Sequence, residues 1–102
     1  MNFIIIYITH PNMEEAKRVC EALLKDRLIA CANYFPIESS YWWNGKIENT
    51  NEIVSIVKTK KENWEKARET VEKLHSYETP CIMKFEVESN KSYFDWINKE
   101  TI

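Results

Sequence analysis

The chain has 102 residues, a length that fits one domain, residues 1–102, built around one hydrophobic core. Its formal net charge is −2, and its lysines and arginines are scattered among glutamates, so no nucleic-acid partner is expected. Gly45 is the only glycine. This excludes the glycine-rich loops that cradle phosphates, and we expect no nucleotide cofactor.

The N-terminal stretch MNFIIIYITH has an apolar run that is too short to span a membrane, and no basic segment precedes it. We therefore expect neither a signal peptide nor a membrane partner, and we expect a cytoplasmic location, where thiols stay reduced. The three cysteines, Cys20, Cys31 and Cys81, form no Cys-x-x-Cys pair, so neither a disulfide framework nor a zinc ribbon is indicated.

The chain begins with a pattern typical of a strand followed by a helix. Residues 3–8 are a continuous, β-branched apolar run, which favours a strand buried on both faces. Asn12 and Glu15 form a variant of the capping box, and one apolar stripe follows at helical spacing. This predicts a helix over about residues 13–27, with Cys20 as a small core residue.

The next segment predicts a β-hairpin. A strand from about Ile29 is expected to break at Pro36, at a bulge or a sheet edge, and then to resume. The Asn-Gly dipeptide at residues 44–45 is a strong turn signal, because both residues tolerate positive φ. The return strand is predicted over about residues 46–59, with an interruption near Asn49.

The second half predicts a helix, a strand and a final helix. Thr59 and Glu62 form a capping box before an apolar stripe that ends near His75, and Pro80 prevents the helix from continuing. Residues 81–88 alternate as a half-buried strand, whose apolar face carries Cys81, Met83, Phe85 and Val87. The order βαββαβ plus a C-terminal helix predicts an α+β, ferredoxin-like split βαβ fold with an antiparallel sheet.

Several motifs resemble the CutA (divalent-cation tolerance) family: LLKDRLIACANYF, SYWWNGKIE, HSYETP and YFDWI, with Glu52 and Lys58-Thr59 in matching positions. The match covers residues 3–101. The resemblance implies a tight homotrimer, a likeness to PII signalling proteins and a link to divalent-cation tolerance, with copper the ion usually discussed. It implies no known reaction, and we expect no enzyme activity.

The sequence departs from the family pattern in two places. Ser76 stands where the family has a proline after its histidine, which predicts a looser turn. Ile8 and Leu74 stand where some members carry a cysteine and a second histidine, both proposed as copper ligands. The ligand set proposed for those members is therefore incomplete in this chain.

The topology nevertheless predicts a metal site. In a split βαβ unit the first strand and the second helix end at the same sheet edge, where the fourth strand begins. This brings together His10, His75 and Cys81, whose imidazole and thiolate groups suit copper or zinc, and Glu14 or Glu78 could complete the set. The alternatives are a helix cap at His75, a core position for Cys81 and simple exposure of His10.

A ligand cleft between subunits is expected by analogy with PII proteins. The residues that match the family pattern there are Cys31, Trp43, Glu52, Lys58, Tyr77 and Glu78. The alternative is that these residues only form a subunit interface. Glu52 and Lys58 share one strand face but lie about 20 Å apart, so they cannot pair within their own strand.

The aromatic hairpin predicts self-association. Trp42 and Trp43 are adjacent in a strand, so they point to opposite faces, and the helices of one subunit cover only one face. A partner subunit is the simplest cover for the other indole. A stacking platform is the alternative reading, but an acidic chain gives it no electrostatic support. The function is then either a metal- or ligand-responsive module or a structural oligomeric scaffold.

Overall fold

The computed structural model describes residues 2–102. The elements are β1 (Asn2–His10), α1 (Met13–Lys25), β2 (Cys31–Trp43), β3 (Lys46–Thr59), α2 (Trp64–Leu74), β4 (Ile82–Glu88) and α3 (Lys91–Glu100). The strands form one sheet in the order β2-β3-β1-β4, and all neighbouring strands are antiparallel. This confirms the predicted ferredoxin-like α+β fold.

The main core lies between α1, α2 and one face of the sheet. The isoleucines of β1 that point to this face, Ile4, Ile6 and Ile8, are buried against Leu23 of α1 and Val71 of α2. Because β1 is paired on both sides, its backbone groups are satisfied within the sheet, and it can be apolar throughout. The predicted burial of Cys20 is confirmed, whereas the first strand, predicted to be buried on both faces, is fully buried on its helix side and only half-buried at Ile5, Tyr7 and Thr9 on the other.

The two ends of α1 and the start of α2 each have an identifiable cause. Asn12 caps α1, because its Oδ1 accepts the Glu15 N–H at 2.8 Å. The helix ends earlier than predicted, at Lys25, and Arg27 then adopts a left-handed φ of 58°. The capping box predicted at Thr59 is wrong: its hydroxyl accepts from Asn63 Nδ2 at 3.0 Å, and one 3₁₀ turn precedes α2. No helix in residues 2–102 is long and apolar enough to cross a membrane.

The face of β4 that meets the helices is the opposite of the predicted one. Ile82 pairs with Ile8 and Lys84 pairs with Ile6, so Ile82 and Lys84 lie on the helix side. Lys84 is exposed on that side, and its ammonium sits 5.3 Å from the ring centre of Trp64.

The apolar side of β4 therefore lies on the outer face of the sheet, which carries neither α1 nor α2. Met83 and Phe85 are 44% and 48% exposed there. Cys81, predicted as a core residue, is only half-buried. Hydrophobicity alone misassigned this face because the register with β1, and not the apolar pattern of β4, decides which side of this edge strand meets the helices.

The third helix covers one end of the outer face. Tyr93 of α3 packs edge-on against Phe3, with ring centres 6.0 Å apart, and Ile97 is fully buried. Phe35, Met83 and Phe85 lie beyond this cover and remain exposed. The single chain thus buries one face of its sheet fully and the other only in part.

The hairpin of β2 and β3 extends beyond the rest of the sheet. Strand β1 reaches β3 only along residues 53–59, so residues 37–43 and 46–52 form a two-stranded ribbon. Neither strand is interrupted. Pro36 is tolerated because β2 is an edge strand and needs no ladder bond on its outer side. The ribbon contributes to a longest dimension of 45 Å.

The ribbon tip exposes large apolar side chains. Trp42 is 72% exposed and Trp43 41%, so both faces of the ribbon are uncovered, and Ile47 is also exposed. A two-stranded ribbon is only marginally stable in isolation. The ribbon therefore lacks the cover that the rest of the sheet receives from its helices.

The turn at the ribbon tip predicts a measurable cost for a side chain at Gly45. Its φ is 77°, and a Cβ placed there would meet nothing within 4 Å, so Gly45→Val tests backbone conformation alone. We expect the free energy of unfolding, measured by chemical denaturation, to fall by about 1–2 kcal/mol. Asn44→Gly, at a φ of 50°, is the control and should be neutral or stabilising. A Gly45→Val variant as stable as the parent would contradict this.

Candidate metal centre and outer-face groove

Two buried histidines meet at one end of the subunit. His10 is the last residue of β1 and continues the inward alternation of its isoleucines, and His75 follows directly after α2. Their ring centres are 5.3 Å apart, and their planes differ by 13°. The structure thus brings together the two histidines that the topology places at this edge.

His10 is fully buried and neutral. Its Nε2 lies 2.8 Å from the Ser55 hydroxyl, while its Nδ1 is buried and has no hydrogen-bond partner within residues 2–102. Burial, reinforced by the neighbouring His75, lowers the pKa of His10 to about 4. At neutral pH the imidazole is therefore uncharged, and its Nδ1 is a ring nitrogen that no protein group in residues 2–102 uses.

His75 has both ring nitrogens engaged by the backbone. Its Nε2 lies 2.7 Å from the Thr9 carbonyl, and its Nδ1 lies 3.0 Å from the Tyr77 N–H. A carbonyl can only accept and a backbone N–H can only donate, so His75 is the neutral tautomer that carries its proton on Nε2. Its backbone N–H also bonds Val71 O, as expected of a helix cap.

Glu15 supplies the carboxylate beside the two rings. Its Oε2 accepts the backbone N–H of Ser76 at 3.2 Å and the Ser76 hydroxyl at 2.9 Å, and lies 3.6 Å from His75 Nδ1. Burial opposes ionisation of Glu15, but the two hydrogen bonds from Ser76 outweigh it, and the pKa of the carboxyl lies below its ordinary value. A proline at residue 76 could donate neither bond, so the turn predicted to be looser is held by Ser76.

The predicted metal set is therefore brought together in part. One ligand atom each from His10, Glu15 and His75 lies within 4.8 Å of the other two, and no other such trio occurs in residues 2–102. Cys81, Glu14 and Glu78 do not belong to this trio. Glu15 was missed because its place in the first turn of α1 was explained by capping; the same place also points it towards the end of β1.

A groove of about 980 Å³ lies on the outer face, between the ribbon and the segment after α2. Of the predicted ligand residues, Trp43, Glu52, Tyr77 and Glu78 line it, as does Cys81. The Tyr77 hydroxyl donates to Glu52 Oε2 at 2.7 Å. Burial and then this bond raise the pKa of Tyr77, and burial followed by the Glu52 charge raises the pKa of Cys81.

The remaining two predicted ligand residues form a separate group. Lys58 Nζ lies 3.9 Å from Cys31 Sγ, donates a hydrogen bond to Asn33 Oδ1, and sits 5.8 Å from the ring centre of Tyr93. Within one chain the six candidates therefore fall into two clusters on the outer face. Only another subunit could join the two clusters.

The fold, with its buried histidine pair and its protruding aromatic ribbon, defines a ferredoxin-like α+β subunit. The family model described as CutA1 divalent ion tolerance protein matches residues 4–100. The chain belongs to the CutA1 family.

Both the related sequences and the solved structures match this chain over nearly its full length. The divalent-cation tolerance protein CutA of Archaeoglobus fulgidus is 47% identical over 95 residues, covering 92% of this chain and 93% of that protein. Its solved structure, described as a periplasmic protein, has a TM-score of 0.93 with 98% of both chains covered, at 46% identity. The crystal structure of CutA1 from Pyrococcus horikoshii has a TM-score of 0.94 at 42% identity, covering 97% of this chain and 98% of that one.

The lowered pKa of His10 predicts acid destabilisation. Between pH 6.5 and about 4 the unfolded chain binds a proton at His10 that the folded chain does not, so this contribution to stability is fully present above pH 6.5 and is lost as the pH falls to about 4. The expected loss is about 3 kcal/mol. Urea denaturation at pH 7, 5.5 and 4 measures it.

The matched variant for this experiment is His10→Gln, which keeps a side-chain amide for Ser55 but does not titrate. We expect it to remove most of the stability loss between pH 6.5 and 4. If the parent and the variant lose stability equally over that range, the acid transition belongs to other groups.

Proposed function

We propose that this CutA1-family chain is a homotrimeric, PII-like module that binds a divalent metal ion, copper in the first place and zinc as runner-up, and that it acts in the cytoplasm by binding rather than by catalysis. The observation that carries the proposal is His10 Nδ1, a buried ring nitrogen without a hydrogen-bond partner in residues 2–102, beside His75 and Glu15. Buried polar atoms are almost always bonded, and an orphaned one calls for an explanation.

The donor chemistry fits such an ion. Imidazole nitrogens with a carboxylate oxygen suit Cu(II) and Zn(II), and copper ranks above zinc for most sites of this kind. The low pKa of His10 keeps its imidazole uncharged over the whole neutral range, so an ion there does not have to compete with an imidazolium proton. Glu15 is ionised at neutral pH, because the pKa of its carboxyl lies below its ordinary value, and it would offset the charge of the ion.

His75 gives the site a means of response. Its Nδ1 can serve as a ligand only by giving up the Tyr77 N–H, and the Tyr77 hydroxyl in turn holds Glu52 in the groove. An ion at His75 would thus free the segment that walls the groove. The module would then report metal binding at one end of the subunit as a change on its outer face.

The metal proposal is tested by isothermal titration with copper and with zinc. We expect dissociation constants of micromolar or tighter for the parent. His10→Ala and Glu15→Gln should each weaken binding by at least about tenfold, which is 1.4 kcal/mol, and His75→Ala should abolish it. Glu14→Gln is the matched control, since Glu14 is the preceding carboxylate of α1 and is not part of the trio, and it should bind like the parent.

If the parent and the double variant His10→Ala/His75→Ala bind copper and zinc equally, this site does not exist. Any role in metal tolerance would then be indirect, and the oligomeric scaffold would be the better description.

The uncovered ribbon supports self-association, and the number of three subunits comes from the family resemblance. In sedimentation equilibrium at micromolar concentration we expect about three times the subunit mass of 12.2 kDa. Trp42→Glu should shift the protein to lower mass, because Trp42 is exposed in the single chain and the change costs little in its own fold. Ile102→Glu, at an exposed apolar residue far from the ribbon, should leave the mass unchanged. A monomeric parent would contradict the trimer.

A further inference from the structure

We propose that Ser55 is the positioning residue of the histidine pair: its hydroxyl accepts the Nε2 proton of His10 and so fixes the tautomer whose lone pair lies on Nδ1. The inference rests on the metal binding proposed above, because it names the residue that prepares His10 as a ligand. The juxtaposition that carries it is a buried hydroxyl at one nitrogen of a buried ring whose other nitrogen has no hydrogen-bond partner in residues 2–102.

Two tautomers of His10 are compatible with its contact to Ser55. A neutral imidazole carries one N–H and one lone pair, and a hydroxyl can donate or accept. If Ser55 donates across the 2.8 Å contact with Nε2, the ring proton of His10 lies on Nδ1. If Ser55 accepts, the proton lies on Nε2, and Nδ1 carries the lone pair that a metal ion needs. The surroundings of Nδ1 and of the hydroxyl decide between the two.

The surroundings of Nδ1 favour the lone pair. Nδ1 is buried, and no group in residues 2–102 accepts a hydrogen bond from it. Among buried backbone groups, an N–H without a partner is rarer than an acceptor without one, and the same preference applies to a buried ring. The carboxylate of Glu15 belongs to the same trio but makes no bond to Nδ1, and its Oε2 already accepts two hydrogen bonds from Ser76.

The proton of the Ser55 hydroxyl has an acceptor other than His10. Burial raises the pKa of the Cys20 thiol, and hydrogen bonds from the hydroxyls of Ser55 and Tyr34 oppose that rise, so the Ser55 hydroxyl lies against the Cys20 sulfur. It can therefore donate to the sulfur and accept from His10 at the same time. Ser55, Cys20 and His10 have no exposed surface in a single chain, so neither solvent nor a second subunit offers them another partner.

This tautomer gives both histidines the same arrangement. His75 carries its proton on Nε2, where the Thr9 carbonyl accepts it, and its lone pair lies on Nδ1. A histidine that binds a metal ion almost always donates its other ring N–H to a neighbouring group, which fixes the ring and raises its basicity. Ser55 thus does for His10 what the Thr9 carbonyl does for His75.

The tautomer can be measured by ¹⁵N NMR of the imidazole rings in the metal-free, assembled protein at neutral pH. A protonated ring nitrogen and an unprotonated one have well-separated shifts, and couplings to the ring C–H protons distinguish Nδ1 from Nε2. The chain has two histidines, so a His10→Gln variant assigns both sets of signals. We expect His10 to be protonated on Nε2 alone. A parent protein in which His10 carries its proton on Nδ1 would overturn the proposal.

Variants of Ser55 link the tautomer to metal binding. Ser55→Ala removes the acceptor at Nε2, so we expect a population of His10 protonated on Nδ1 and a loss of copper affinity, by calorimetry, of about tenfold or more. Ser55→Thr keeps the hydroxyl and should restore both the tautomer and the affinity. Thr101→Val is the matched control, because it removes a buried hydroxyl that bonds Ile97 O in α3, and it should change neither.

The role of Ser55 is wrong if Ser55→Ala keeps the tautomer of the parent, or if the tautomer changes while copper affinity does not. The two proposals also fail separately, because the tautomer is measured without metal. If the parent binds neither copper nor zinc, the metal function is wrong, and NMR alone decides whether Ser55 sets the tautomer. If copper binds but His10 carries its proton on Nδ1, the metal function stands and the role of Ser55 is wrong.

Discussion

The hydrogen bond from His75 to the Thr9 carbonyl joins the end of α2 to the end of β1, and both sites depend on it. The same imidazole accepts the Tyr77 N–H, and Tyr77 then reaches across to Glu52 on β3. One buried ring therefore satisfies two backbone groups and sets the path of the segment behind the groove. Without it, a part-buried donor and a part-buried acceptor would each lose their partner, at up to about 1–3 kcal/mol apiece.

Ser76 makes this junction different from one built with proline. A proline stiffens the chain through its fixed φ, whereas Ser76 ties the segment to α1 through two hydrogen bonds to Glu15. Those bonds also keep the Glu15 carboxylate ionised next to two neutral imidazoles. Serine in place of proline at residue 76 thus exchanges backbone stiffness for a charge-assisted link. It also holds the Glu15 carboxylate beside the two histidines.

Local signals and topology predicted the elements and part of the site. The apolar run of β1, the Asn12 cap and the Asn-Gly turn each depend on neighbouring residues, so they can be read from the sequence. The meeting of His10 and His75 followed from topology, since the first strand and the second helix of a split βαβ unit end at one edge. Glu15 was missed because its side chain could equally have served the helix cap.

The errors concern contacts between distant elements. The inward face of β4 is decided by its register with β1, in which Lys84 falls over Trp64, and no local pattern encodes that register. The outward position of Cys81 follows from the same register, because Ile82 faces the helices and neighbouring side chains in a strand point to opposite faces.

The outer face thus combines the features that a single chain leaves incomplete. It carries the exposed residues Met83 and Phe85, the groove with Glu52, and the start of the ribbon that ends in two uncovered tryptophans. The helix side, by contrast, is closed by its own core. Because ribbon residues line the groove, a second subunit that covered the ribbon would also lie against the groove. Assembly and ligand binding would then use one surface, while the histidine pair stays within a single subunit and reaches that surface only through Tyr77.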